Sequence, residues 1–538
     1  MSIWLNAIDG NWADSTKWDS GVPNGNTAVA SFTNVTSASS GGRIIDLGGG
    51  AFTVKQLNMV STSTDSYGLT NGTLILAASS GSAGISVAAA TTGAFGSGLL
   101  VSLTLNLASN TNFDIGVDAA LGAFFTMTGV GALNKTGAGT LALARDNSAW
   151  TGATNLSAGT ILLKDINALA SSSALTVSAG GTLVLDAFAG GAFNVNALSG
   201  GGAVLGGSAG VQTLAIKGGG GVFSGAITDG FGTVALRHDS TGSTYLSGNG
   251  NTYTGGTTVN AGILHYGDGG TSNASVGTGT VTINGGTFAL FRPGDYTFAN
   301  ALAGAGRFDK NSAGTATLTG DSSLFTGQIT VAGGTLKVND SAVLGNKAPI
   351  EVKAGATLDI SASVYVVIGA LSGAGTVATQ LNEEVNVYSG GTSSTFSGSF
   401  TAPTSIAKYD SGTLTLSGNG INFTDMDVFG GTVAFSGSNP ISASLRLRVY
   451  DSATLDISGI AASSLTIRYL GRDGGAIVLG GKKLIAGNEA DVQAVTVRRQ
   501  NIWHNSRRKL AECGPRLGLG FRRRACGVAS ADARWFVA

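Results

Sequence analysis

The sequence predicts an all-β chain folded as an elongated β-solenoid, a stack of short strands joined by tight corners. Three observations lead there. Glycine is extreme, 86 of 538 residues, while proline is only 6. Short phrases recur along the chain with apolar residues at matching offsets. Each phrase alternates apolar and polar residues over about four to six positions, the strand signature, and no segment offers an amphipathic helix of ten or more residues.

Composition sets the frame. A chain of 538 residues exceeds one ordinary compact core, so it is either several domains or one elongated array. High glycine with little proline and no Gly-X-Y period is not collagen. A hydrophobic fraction of 43% is too high for a disordered linker. Val, Ile, Leu and Ala spread among Gly, Ser, Thr and Asn suit short strands and tight turns.

The repeat supplies the elements in order. Four segments start at Lys135, His238, Lys310 and Lys408 and align without gaps. Glycines follow four residues later (Gly139, Gly242, Gly314, Gly412) and leucines eight later (Leu143, Leu246, Leu318, Leu416). Aromatics follow fifteen later: Trp150, Tyr253, Phe325 and Phe423. The first three aromatics precede Thr-Gly; the fourth precedes Thr424-Asp425, so that unit has drifted. A second phrase follows each, such as "VAGGTLKV" from Val331, and a third, such as "IEVKAGATLDI" from Ile350. One phrase cannot bury its apolar face alone, but stacked coils bury Leu, Val and Ile in a continuous column. Coils of roughly 20–25 residues at strand spacing would give a rod on the order of 100 Å. A chain of β-sandwiches would want more proline, clearer linkers and larger aromatic cores.

Chemistry-bearing residues are sparse. Asp186, Asp359 and Asp456 each end a Thr-Leu strand phrase. Carbohydrate cleavage would need such carboxylates clustered, but their separation in sequence reads as outward positions on unrelated coils. Glu383-Glu384, the only adjacent acidic pair, reads as a solvated loop. The histidines, His238, His265 and His504, have no partner at ligand spacing, and His238, in the lysine slot, is expected at the surface. "TDMDVFGG" at Thr424 and "GRDGG" at Gly471 match no EF-hand loop. "GGGG" at Gly218 opens no phosphate-binding helix. The aromatics at fixed offsets read as packing under a corner rather than as a sugar platform. No catalytic, cofactor-binding or metal-ligating residue is assigned, and no cofactor is expected.

Charge and cysteine fall at one end. Nine arginines and both cysteines, Cys513 and Cys526, lie between residues 498 and 538, leaving an acidic body without cysteine. An acidic body argues against nucleic-acid binding by the main body. No stretch reaches the roughly 18 apolar residues of a membrane-spanning helix. The expected organisation is an opening module and first coils over 1–60, a repeat region over 61–497, and an Arg/Cys-rich tail over 498–538. The tail loses the Gly-Thr-Leu rhythm and is expected to be disordered or the product of a frameshift, with a basic arm for anionic surfaces as the other reading.

The core Lys-x-Gly-x-Gly-Thr-Leu-x-Leu, then aromatic-Thr-Gly, then Gly-Gly-Thr-Leu, resembles the autotransporter-associated β-strand repeat. Trp4, Gly10-Asn11-Trp12, Trp18, Gly21, Pro23-Asn24, Ala28 and Phe32 resemble the module that often opens such proteins. The resemblance covers roughly residues 1–490. It implies a right-handed parallel β-helix of the passenger-domain type, exported to the bacterial cell surface or released from it. The implied role is adhesion, aggregation or structural display without enzymatic activity. The implied partners are glycans or proteins of a host or neighbouring cell. Two parts of the full pattern, a signal peptide and a translocator barrel, are not read in these residues. A polysaccharide-acting β-helical enzyme and a purely structural exoprotein are the alternatives.

Overall fold

The computed structural model describes residues 1–487 apart from 6–7, 34–40, 62–64, 90–95, 188–190, 271–272, 346, 420 and 439–440; beyond 487 it describes the backbone of 496–497, 502–503 and 535–537. His504, both cysteines and most of the tail lie outside the described residues. Among the described residues there is no α-helix, and the two 3-10 turns are Ser15–Lys17 and Ser341–Leu344. The chain divides into two compact units. One comprises Met1–Gly294 with Ala299–Ser312, the other Asp295–Phe298 with Ala313–Ala538.

Each unit is a parallel β-solenoid. In the first, Leu121 pairs with Leu141, Leu141 with Ile161, Ile161 with Leu183, Leu183 with Val204 and Val204 with Ile227. Successive partners are 20 to 23 residues apart, so the chain makes one turn and lies beside itself. All six side chains are fully buried. Their polar neighbours along each strand face out, as the two-residue period requires. A slip of one residue would bring Thr140 or Thr160 into this column and send the aliphatic set to solvent, so the pattern fixes the register.

Long strands carry the corners. Thr154–Leu163 pairs backward with both Leu133–Thr136 and Thr140–Leu143. It pairs forward with Leu175–Leu185 through a register shift between Leu156 and Ala158. One strand therefore serves two faces, which is why nineteen described strands of the first unit join in a single sheet. The shift is a bulge that bends the strand at the Ala-Gly corner. Near the N-terminus, Trp4, Trp12 and Trp18 fill the interior, with Trp18 edge-on to Trp4 at 5.0 Å and to Trp12 at 5.1 Å. Phe32 lies against all three.

The second unit repeats the plan with shorter strands. One column runs Ala316, Leu336, Leu358, Val377, Phe400. Another runs Val366, Val385, Ile406, Met426, Leu447, Leu470. Antiparallel pairing appears where Trp535–Val537 lies beside Lys483–Ala486 and Ile502–Trp503.

Candidate functional site

The repeated basic residue is interior. Lys135, His238, Lys310 and Lys408 are all buried, and each lies in an apolar column. Lys135 pairs with Phe113 and Leu156, and His238 with Ile216 and Val259. Lys310 pairs with Leu290, and Lys408 with Val387 and Val428. The ammonium groups are not left bare. Lys135 Nζ donates to the carbonyls of Thr136 and Gly137 at 2.8 Å and of Ala158 at 3.2 Å. Lys310 Nζ donates to Ser312 O, and Lys408 Nζ to Tyr409 O and Asp410 O. A corner leaves carbonyls that the strand ladder cannot use, and the lysine supplies their donors. Burial lowers the Lys135 ammonium to about 8, with Asp114 opposing the shift.

His238 does the same work with a ring. Its Nδ1 lies 2.9 Å from Ala261 O and its Nε2 3.2 Å from the Thr244 hydroxyl. The surface position expected from the sequence is therefore corrected: His238 is fully enclosed, and burial depresses its pKa. His265 stacks on Tyr245 with ring centres 4.2 Å apart and is also shifted down by burial.

The aromatic slot is interior as expected. Trp150, Tyr253, Phe325 and Phe423 are fully buried. Trp150 Nε1 donates to Gly131 O at 2.8 Å, and the Tyr253 hydroxyl lies 2.7 Å from Thr257 Oγ1. The glycine slot has two causes. Gly314 and Gly412 have φ of +80° and +91°, the left-handed region. At Gly139 the cause is close packing, since a Cβ there would lie 2.2 Å from Gly116 O.

Some of the acids bridge neighbouring turns and others bond within their own. Asp186 accepts from Lys164 at 2.7 Å and from Ser208, and although burial opposes it, these bonds hold its carboxyl below the usual range. Asp359 pairs with Lys337 at 3.7 Å and accepts from Ser361 at 2.6 Å. Asp456 accepts the Ser458 N–H. Asp239, not singled out in the sequence, is the most strongly held. Burial opposes its charge, yet Lys217, Asn260 and Arg237 bring it to about 2. Glu383 departs from expectation, because it is buried rather than solvated. One oxygen accepts the Gln380 N–H at 2.9 Å and the other has no partner. Burial pushes the carboxyl up to about 7. Among the described residues no three His, Cys, Asp or Glu side chains are placed to hold a metal ion.

The second unit carries an outward surface that motif reading missed. Tyr388, Tyr409, Phe429 and Tyr450 stack ring on ring across four successive turns, 4.4, 4.8 and 4.4 Å apart. Lys347 Nζ closes the Tyr388 end at 4.0 Å. The signal was present in the sequence as aromatics 20 or 21 residues apart. Beside this column lie two outward rows. One reads Glu384, Ser405, Asp425, Arg446, the other Asn386, Ala407, Asp427, Arg448. Arg448 grips Asp427 with two bonds, of 2.6 and 2.9 Å.

The passenger-associated-transport-repeat family matches at residues 133–163, 239–265 and 308–338. These segments contain the Lys135 and Lys310 units and most of the His238 unit, with their glycines and leucines. The chain carries autotransporter passenger-type repeats. The drifted unit from Lys408 is not among the matched segments, although its lysine is buried in the same way. The adhesin BmaC autotransporter of Brucella suis biovar 1 (strain 1330) is similar at 37% identity over 203 residues, covering 35% of this chain. The match spans 6% of that adhesin's length. No solved structure matches the chain. In these passenger-type repeats, the basic, glycine, leucine and aromatic positions serve the stack.

Proposed function

We propose that the chain is part of an exported, non-enzymatic passenger that presents a β-solenoid surface for adhesion or aggregation at the bacterial cell surface. Two observations support this most: the passenger-associated repeat itself, and the similarity of part of the chain to a protein named as an autotransporter adhesin. The repeat's conspicuous positions are spent on corner carbonyls and interior packing. What is left for recognition is the outward flank of the turns. The acids weighed for carbohydrate cleavage fit this reading, since Asp186 and Asp359 are engaged by lysines of neighbouring turns. A cell-surface or extracellular location, in contact with host or neighbouring cells, follows from the same reading. The test is binding of the full chain, immobilised on beads, to bacterial and host cells. Saturable binding competed by soluble chain is expected. Binding that never saturates, or none to any cell type, would leave a purely structural exoprotein as the better account.

A further inference from the structure

An outward row of the second unit runs Tyr365, Glu384, Ser405, Asp425, Arg446, Tyr469, each residue in register with the next turn's. Its chemistry reverses about its midpoint. A tyrosine stands at each end, an acid and a base come next, and two small polar groups meet in the middle. The acid and the base are under-used. Glu384 is exposed and makes no ion pair among the described residues; its carboxylate accepts from Asn386 Nδ2 at 3.1 Å. Arg446 lies 3.8 Å from Asp425 and 5.4 Å from the Tyr469 ring centre, with its side chain 48% exposed. A guanidinium carries five N–H donors, and that of Arg446 makes no hydrogen bond among the described residues.

Glu384 and Arg446 cannot reach each other, since three strand spacings, about 14 Å, separate their backbones. A second copy laid face to face with its stack reversed, about a two-fold axis parallel to the strands, removes that distance. The turns then meet in reverse order: Tyr365 of one copy against Tyr469 of the other, Glu384 against Arg446, Ser405 against Asp425. Each pair occurs twice, as an isologous contact requires. The ring column beside the row reverses on the same axis, setting Tyr388 against Tyr450 and Tyr409 against Phe429. A copy laid parallel would set Glu384 against Glu384 and Arg446 against Arg446, so charge selects the antiparallel arrangement.

Charge and size also fit a second copy. Glu384, Asp425 and Asp427 are balanced by Arg446, Arg448 and the Lys347 ammonium at the Tyr388 end. A face without net charge does not favour a strongly charged polymer. Asp427 and Arg448 already hold each other, so the contact rests on the Glu384–Arg446 row and the ring edges. Six turns by five residues measure about 24 by 16 Å, or roughly 400 Å² per copy. That is below the area of a stable complex, so a single contact is weak and gains strength when many copies are displayed side by side.

We propose that this row and the ring column beside it form a self-association face, on which two copies of the chain pair antiparallel through reciprocal Glu384–Arg446 contacts. The proposal rests on the adhesion and aggregation reading and names a second copy as the partner for aggregation. The test is sedimentation velocity of the full chain, in reductant, from about 1 to 300 µM. A reversible dimer at the upper concentrations, loosened by added salt, is expected. Glu384→Arg sets arginine against arginine, and Arg446→Glu sets glutamate against glutamate. Each variant alone should associate about tenfold more weakly or less. Mixed in equal amounts they should associate again, because every exchanged charge then meets its opposite. Both positions are solvent-facing, so both variants should melt near the parent temperature, which separates lost pairing from lost fold. Glu384→Gln, a milder change, should weaken the dimer as well. A parent chain that stays monomeric throughout, association undiminished in the variants, or folded variants that do not recover on mixing overturns the face. Saturable cell binding by a chain that does not self-associate overturns the face and leaves the adhesin reading standing. Self-association by a chain that binds no cell does the reverse.

Discussion

A buried charge in this protein is an instrument of the corner. Lys135 is surrounded by aliphatic and aromatic neighbours yet reaches three backbone carbonyls. A charged letter in a sequence ordinarily signals solvent. The interior role becomes visible only when the next turn's Ala158 carbonyl is placed beside it. This is why His238 was misread from sequence, although its alignment with three lysines was legible. Glu383 has the opposite balance, with one oxygen bonded and one unpartnered. Its carboxyl rises from 4.5 to about 7 because burial disfavours its charge. A raised acid gives stability that is fully present below 4.5 and lost as the pH climbs through about 7. Glu383→Gln is therefore expected to stabilise the second unit at pH 7.5 by about 1–2 kcal/mol, with little effect at pH 4. Thermal melts of both chains across this window check it. An equal shift at both pH values would mean that the carboxyl is not the cause.

At the level of the strand and its neighbours, the outward and inward faces do different jobs. Inward columns such as Leu121–Leu141–Ile161–Leu183 bury aliphatic area turn after turn. Outward ladders fix the register. Asn155 donates to Asn134 at 2.8 Å, and Asn134 to Asn112 at 3.0 Å. Lys217, Asp239, Asn260 and Asn284 form another run. The inward pattern was legible, because alternation and fixed offsets both pointed to Leu143, Leu246, Leu318 and Leu416, and all four are buried. The Tyr388–Tyr450 column was less so, because its spacing tracks the turn length rather than the repeat motif. Leu143→Asp places an unpaired carboxylate between Ala123 and Leu163. It is expected to destabilise the adjoining turns by about 3–5 kcal/mol. Hydrogen exchange should show faster amide exchange in Ala119–Gly129 and Thr154–Leu163 than in the last turns of the first unit. Unchanged protection there would place Leu143 outside the column.

Across the whole molecule, stability comes from stacking like on like. The 497 residues before the Arg/Cys-rich tail contain no cysteine, so no disulfide forms among them. Each turn rests on its neighbours, the situation in which local defects stay local. The fold class was readable because glycine, alternation and self-similarity agreed. The outward Tyr388–Tyr450 face was not, because it is assembled from residues some 20 positions apart that share no motif. The central claim is the in-register parallel stack. It is tested by oxidative cross-linking in a chain carrying Cys513→Ser and Cys526→Ser. Asn134→Cys with Asn155→Cys joins register partners one turn apart, within reach of a disulfide. Asn112→Cys with Asn155→Cys joins positions two turns apart, about 10 Å and beyond its reach. The account predicts near-complete cross-linking of the first pair and almost none of the second. Equal cross-linking of the two pairs, or none of the first, would contradict it.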